Sequence, residues 1–226
     1  MTRLKILLLT ISLTSPVFGQ QNKLDIGIEG GPSLTSIRGN KMFKKYNHPT
    51  LGYSGGLSFQ FNFPKKFSVR TGFAYERKGS VHTIPFTDAY GNTTVQGKNY
   101  SNFDYLVFPV LLHATLGKSM KFFVNSGLFF SYLLKQTFTW QSSYFPKQTG
   151  DNTSNDKRFD TGLALGLGFS TPIKDKFSIT CEIRNNLGLY NVSAIPVFEN
   201  GTIKTNSTNL LCGFAYKLGT RMTETK

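Results

Sequence analysis

Three histidines, His48, His82 and His113, are the residues of this 226-residue chain best suited to acid–base or metal chemistry near neutral pH. His48 precedes Pro49, and His82 lies in Ser80-Val81-His82-Thr83, with no acid or second histidine at ligand spacing. A general base needs a nucleophile within hydrogen-bond reach, and a metal needs converging ligands. Neither pattern occurs, so no catalytic, metal or cofactor residue is assigned. His113 alternates with Leu112 and Ala114, which puts it on the polar face of a strand as a hydrogen-bonded structural residue. Cys181 and Cys212 take the opposite, apolar parity; two free thiols or one bridge are both open, and two cysteines are too few for a disulfide scaffold.

The charged residues are more informative. Asp25, Glu29, Arg70, Glu76, Asp160, Glu182 and Arg184 share the parity of His113 and form a candidate charge network inside a barrel. Such groups must pair, because an unpaired buried charge costs several kcal/mol. A second group, Arg38, Lys41, Lys44 and Lys45, follows the first alternating segment with no acid between its members. It is a candidate contact for lipopolysaccharide phosphates. The whole chain carries 26 Lys+Arg against 12 Asp+Glu, a net charge of +14. A basic balance of this size often marks nucleic-acid binding. The first residues direct the chain elsewhere.

Arg3 and Lys5 precede the apolar run Ile6 to Leu13, and Val17-Phe18-Gly19 forms a small-x-small exit before Gln20. Residues 1–19 therefore read as a secretory signal peptide and 20–226 as one exported domain. The apolar run is too short to span a membrane, which takes about 20 residues. Export leaves nucleic acid out of the expected partners.

The exported part alternates with period two. Leu51, Tyr53, Leu57, Phe59, Phe61 and Phe63 fall on one face, and Gly52, Ser54, Gly56, Ser58, Gln60 and Asn62 on the other. A strand with this sequence buries one whole face; a helix would bury nothing coherent. Phe67–Glu76, Phe159–Ser170 and Phe177–Leu189 repeat the pattern. Leu24–Glu29, two continuously apolar stretches near 103–116 and 121–134, and a last segment near 209–218 bring the total to eight. Connections alternate in length. Turns near 63–66, 116–119 and 171–176 are tight, whereas 35–50, 80–102, 136–157 and 191–207 are longer and polar.

Short turns on one rim, long loops on the other and aromatic residues at segment ends are features of outer-membrane barrels. Lipid cannot satisfy an open sheet edge, so the sheet must close. The expected fold is all-β: an eight-stranded antiparallel up-and-down transmembrane β-barrel with short periplasmic turns, four longer extracellular loops and both termini periplasmic. Eight strands leave a narrow interior filled by side chains, which disfavours a pore.

Tyr105–Leu112, Phe122–Leu134, Phe159–Gly168 and Glu182–Leu189 resemble the PorT-like family of bacterial outer-membrane barrels, and the resemblance runs over nearly the whole exported chain. The family commonly has an acidic residue two before the strand proline; here, before Pro109, that position is Val107. Its founding member is an accessory of a system that exports proteins across the outer membrane. The resemblance thus implies a non-enzymatic structural or interaction protein, accessory to secretion or envelope maintenance, with outer-membrane lipid, lipopolysaccharide and an envelope or secretion-system protein as partners. Two alternatives remain open. One is a small barrel enzyme acting on lipid; the other is a soluble exported barrel binding an apolar ligand.

Overall fold

The computed structural model describes residues 24–40, 46–63, 66–87, 90, 93–117, 120–142, 146–174 and 176–218. The proposed signal peptide, and Lys41, Lys44 and Lys45, lie outside them. The strands in chain order are β1 (Leu24–Arg38), β2 (Asn47–His48), β3 (Thr50–Asn62), β4 (Phe67–Thr87), β5 (Thr93–Leu116), β6 (Lys121–Gln141), β7 (Gln148–Asp151), β8 (Phe159–Lys174), β9 (Phe177–Gly188) and β10 (Lys204–Leu218).

Eight of them close a ring, β1-β3-β4-β5-β6-β8-β9-β10, in which every pairing is antiparallel. The first and last strands meet from Leu24↔Leu218 to Arg38↔Lys204, so the ring has no open edge. β2 and β7 are short additions beside β4 and β6.

Alternation sets the faces. Leu167 is 63% exposed and Val124 56%, while Glu76 and Asp160 are each 1% exposed. That inverts the arrangement of a soluble protein and matches a barrel whose outside faces hydrocarbon. Near the short-turn rim, Phe177 packs on Phe214 and Tyr216, with ring centroids 5.3 and 5.2 Å away. At the other end of the outer band, polar pairs appear. Arg77 holds Asp104 through two hydrogen bonds of 2.6 and 2.8 Å, and Asn185 bonds Asn206 and Thr208.

Two backbone details fit their sequence. Gly117 takes φ +103° in the β5–β6 turn, a region open to glycine. Pro109 has no N–H, and the β4–β5 ladder lapses between Thr71↔Val110 and Ala74↔Val107; Thr71 Oγ1 instead donates to the Pro109 carbonyl at 2.8 Å.

The long connections are shorter than the polarity of the sequence implies. Most of 80–102 is a paired hairpin, from Ser80↔Ser101 to Thr87↔Thr93. β6 runs to Gln141 and pairs with β7, so part of 136–157 is also sheet, and β10 begins at Lys204 rather than near 209. The strands outrun the apolar band because a hairpin standing in water needs no alternation to keep its backbone hydrogen bonds. One wall of the barrel, built from β4, β5, β6 and β7, therefore rises above the others.

Candidate functional site

The lumen holds the candidate charge residues in separate layers rather than in one network. The layer nearer the short-turn rim comprises Glu29 of β1, Arg70 of β4, and Glu182 and Arg184 of β9. These three strands are not neighbours in the ring, so each contact between them crosses the lumen. Arg70 pairs with Glu29 and, at 3.3 Å, with Glu182. Arg184 reaches Glu29 at 2.9 Å and grips both oxygens of Glu182 at 2.7 Å. Asn125 of β6 donates to Glu182 at 2.8 Å, and His113 Nδ1 donates to the Asn125 oxygen at 2.7 Å. The His113 ring rests against Phe123, centroids 4.7 Å apart. Gly166 of β8 faces this layer, and a Cβ there would collide with the Glu182 carboxylate. Two carboxylates and two guanidiniums make the quartet electrically neutral.

The next layer toward the long-loop rim centres on Glu76. It accepts hydrogen bonds from Ser207 Oγ, from Asn209 at 3.0 Å and from Asn186 at 3.1 Å, all neutral donors. Beyond it Lys78, 1% exposed, lies 3.6 Å from Asp160. Its ammonium stands 4.3 Å from the Phe129 ring centroid and 5.2 Å from that of Tyr105. Thr205 donates to the same Asp160 oxygen at 2.6 Å. Sequence reading missed Lys78, although its even parity on β4 matches that of Arg70 and Glu76.

The interior is also less uniformly polar than expected. Phe103, Tyr105, Val107, Leu111, Phe129, Leu133 and Ala164 form a buried apolar cluster along the β5, β6 and β8 walls. Val107, where the PorT-like pattern has an acid, belongs to it. β5 and β6 are apolar on both faces, so no contrast between faces marked which side turns inward.

Asp25 stands apart from these layers. It lines a cavity of about 710 Å³ between the quartet and the short-turn rim, with Arg70 and His113 at its inner end. Of the four basic candidates, Arg38 is described: it ends β1 and donates to the Gly188 carbonyl, so that edge of its guanidinium is turned onto the barrel. Cys181 and Cys212 are directly opposed on β9 and β10 and both are free thiols. No group of three or more metal-ligating side chains occurs among the described residues.

A family model described as outer membrane protein beta-barrel domain matches residues 18–194. No curated protein matches the chain. Among solved structures, Neisserial surface protein A is 12% identical, with a TM-score of 0.44 and 89% of this chain and 100% of that one covered. The attachment invasion locus protein Ail of Yersinia pestis is also 12% identical, with a TM-score of 0.42 and coverages of 87% and 99%. OprG of Pseudomonas aeruginosa is 15% identical, with a TM-score of 0.42 and coverages of 89% and 99%. These likenesses concern the fold alone.

Proposed function

Because the chain belongs to the outer membrane protein beta-barrel domain family, we propose that it is a non-enzymatic interaction protein of the PorT-like type, exported by a cleaved signal peptide and accessory to protein secretion or envelope maintenance. The observation that carries this reading is the filled lumen. Among the described residues a cross-lumen ion quartet, a Glu76 layer and a packed Tyr105–Phe129 cluster occupy successive levels, a filling that speaks against a porin. His113 is engaged with Asn125 and Phe123, which fits a structural role. In the orientation usual for outer-membrane barrels, the short turns face the periplasm and the tall β4–β7 wall faces outward. That wall is the surface offered to an envelope or secretion-system protein; Arg38, with Lys41, Lys44 and Lys45 from outside the described residues, remains the proposed contact for lipopolysaccharide.

Deleting the gene and comparing the secreted, surface and periplasmic proteomes with the parent strain tests this directly. Exported proteins trapped in the periplasm are the expected result. An unchanged secretome with a permeability defect would move the role to envelope maintenance, and no change in either would remove both.

A further inference from the structure

The outer face of the last two strands carries a pair of thiols. Cys181 of β9 and Cys212 of β10 are directly opposed, in a register that runs without a shift from Asn206↔Leu187 to Tyr216↔Phe177. One residue further on, the Lys217 N–H donates to the Lys176 carbonyl at 2.8 Å. Hydrogen-bonded and non-hydrogen-bonded pairs alternate along an antiparallel ladder. Lys217 and Lys176 form a hydrogen-bonded pair, so the odd number of steps from 217 back to 212 makes Cys212 and Cys181 a non-hydrogen-bonded one. Opposed residues of that class have Cα atoms about 4.5 Å apart and the closer side chains. A disulfide takes Cα separations of about 4.4–6.8 Å, so the backbone already stands within bridging range. In the reduced pair of this structure the two thiols interact directly.

Their surroundings are apolar. The outward neighbours along the two strands are Ile179 and Ile183, and Leu210 and Phe214, all exposed on the outer band. Phe169 of β8 lies opposite Cys181, and Gly30 of β1 lies opposite Cys212, where it adds no side chain. Under the outer-membrane reading both thiols face hydrocarbon, at the level of Glu182 and well inside the span. Thiol–disulfide exchange proceeds through a thiolate, and hydrocarbon is a poor solvent for that anion. Before insertion the chain is in the aqueous periplasm, an oxidising compartment. The pair is therefore open to oxidation in transit and shielded from exchange afterwards.

Building on the reading of the chain as an exported outer-membrane barrel, we propose that Cys181 and Cys212 are joined by a cross-strand disulfide during export, and that insertion into the membrane then locks the bond. One cysteine thiolate attacks a sulfur of a periplasmic disulfide oxidant, giving a mixed disulfide and releasing one thiol of the oxidant. The second cysteine attacks the first cysteine's sulfur in that mixed disulfide, forms the Cys181–Cys212 bond and releases the other thiol. The chain loses two electrons and two protons, and both pass to the oxidant, which ends as a dithiol. The bond closes residues 181–212 into a loop and fixes β10 to β9 at the level where Glu182 enters the quartet. β10 also forms the seam with β1 that closes the ring. The strand on which closure depends is thereby held to its neighbour.

The test uses the wild-type chain in its own host. Cells are lysed and fractionated in excess N-ethylmaleimide, and each fraction is then denatured in fresh reagent. Trypsin releases Cys181 within Phe177–Arg184 and Cys212 within Thr205–Lys217. In most of the outer-membrane protein these two peptides should emerge joined, lighter than their sum by two hydrogens and free of maleimide. Separate, maleimide-blocked peptides in most of it overturn the bond. A bridged chain in the soluble periplasmic fraction supports the bond and overturns the membrane reading beneath it, so the two failures are told apart. For the lock, the bridged protein is reconstituted in phosphatidylcholine vesicles and exposed to dithiothreitol. It should lose the bond at least tenfold more slowly than the same protein unfolded in urea, and equal rates would overturn the lock.

Discussion

The quartet and the Glu76–Lys78 layers lie a few residues apart along β4, yet they accommodate buried charge differently. In the quartet all four carboxylate oxygens receive a hydrogen bond from an arginine. In the layers beyond, Glu76 is held by neutral donors, and Lys78 shares one Asp160 oxygen with a hydroxyl while resting on two aromatic faces. Asp160 Oδ1, Asn186 Oδ1, Asn209 Oδ1 and the Tyr105 hydroxyl have no hydrogen-bond partner among the described residues. Bidentate guanidiniums impose one geometry. Hydroxyls, amides and a flexible ammonium impose a looser one. The quartet is therefore the rigid tie across the lumen, and the layers beyond it are the adaptable filling.

Removing one member of the rigid layer should be the most damaging change. Arg184→Leu leaves Glu29 with Arg70 alone and Glu182 with Arg70 and Asn125, and breaking a buried ion pair by deleting one partner costs about 3–5 kcal/mol. Urea unfolding of the reconstituted barrel should show that loss. No conductance should appear in planar bilayers, because Leu111, Tyr105 and Phe129 still fill the lumen beyond. A stable new channel would mean that the quartet, and not the packing, is the seal.

The Lys78–Asp160 pair should respond differently. Lys78→Met keeps the apolar contact with Phe129 but strands Asp160, at a cost of about 1–3 kcal/mol. Adding Asp160→Asn removes the stranded charge and should recover most of the loss, since neutralising both partners of a buried pair is often close to neutral. A double-mutant cycle reads this out. If the double variant is worse than either single one, the layer is as strictly specified as the quartet. Glu76→Gln should cost less again, about 1 kcal/mol. Its shape and one acceptor survive, and only one of three hydrogen bonds has to turn around.

How much of this was legible in the sequence follows from contrast between faces. Leu51–Phe63 and Phe159–Ser170 alternate cleanly, so strand type and orientation can be read directly, and with them the inward parity of Glu29, Arg70, Glu182 and Arg184. Partner choice could not be read, because the quartet joins strands separated by other strands in the ring. Tyr105 and Phe129 were hidden by apolar neighbours on both faces of β5 and β6. The upper hairpins read as loops in the sequence for a different reason: their apolar residues are scattered among Thr, Asn, Gly and Lys with no sustained alternation, and backbone pairing leaves no mark on side-chain pattern.

A third environment separates burial from pairing. Asp156, in the connection between β7 and β8, is buried and bridges to Ser193 of the β9–β10 connection. It lies outside the spanning strands, and burial alone pushes its carboxyl from 3.8 up to about 6. Unlike Glu29 and Glu182, it gains nothing from a guanidinium. Its folded form holds the proton more tightly than the unfolded form. Its contribution to loop stability is thus complete below pH 3.8, falls as pH rises, and is gone above about 6. Asp156→Asn should remove that dependence and stabilise the connection at pH 7.5 by roughly 1 kcal/mol, a value kept small by solvent screening. Amide exchange of residues 189–196, compared at pH 5 and 7.5, measures it. Greater protection at pH 5 is expected in the wild type, and equal protection, after correction for intrinsic exchange, in the variant. Greater protection of the wild type at pH 7.5 would mean that an unlocated cation compensates Asp156, and that the loops use the same strategy as the quartet.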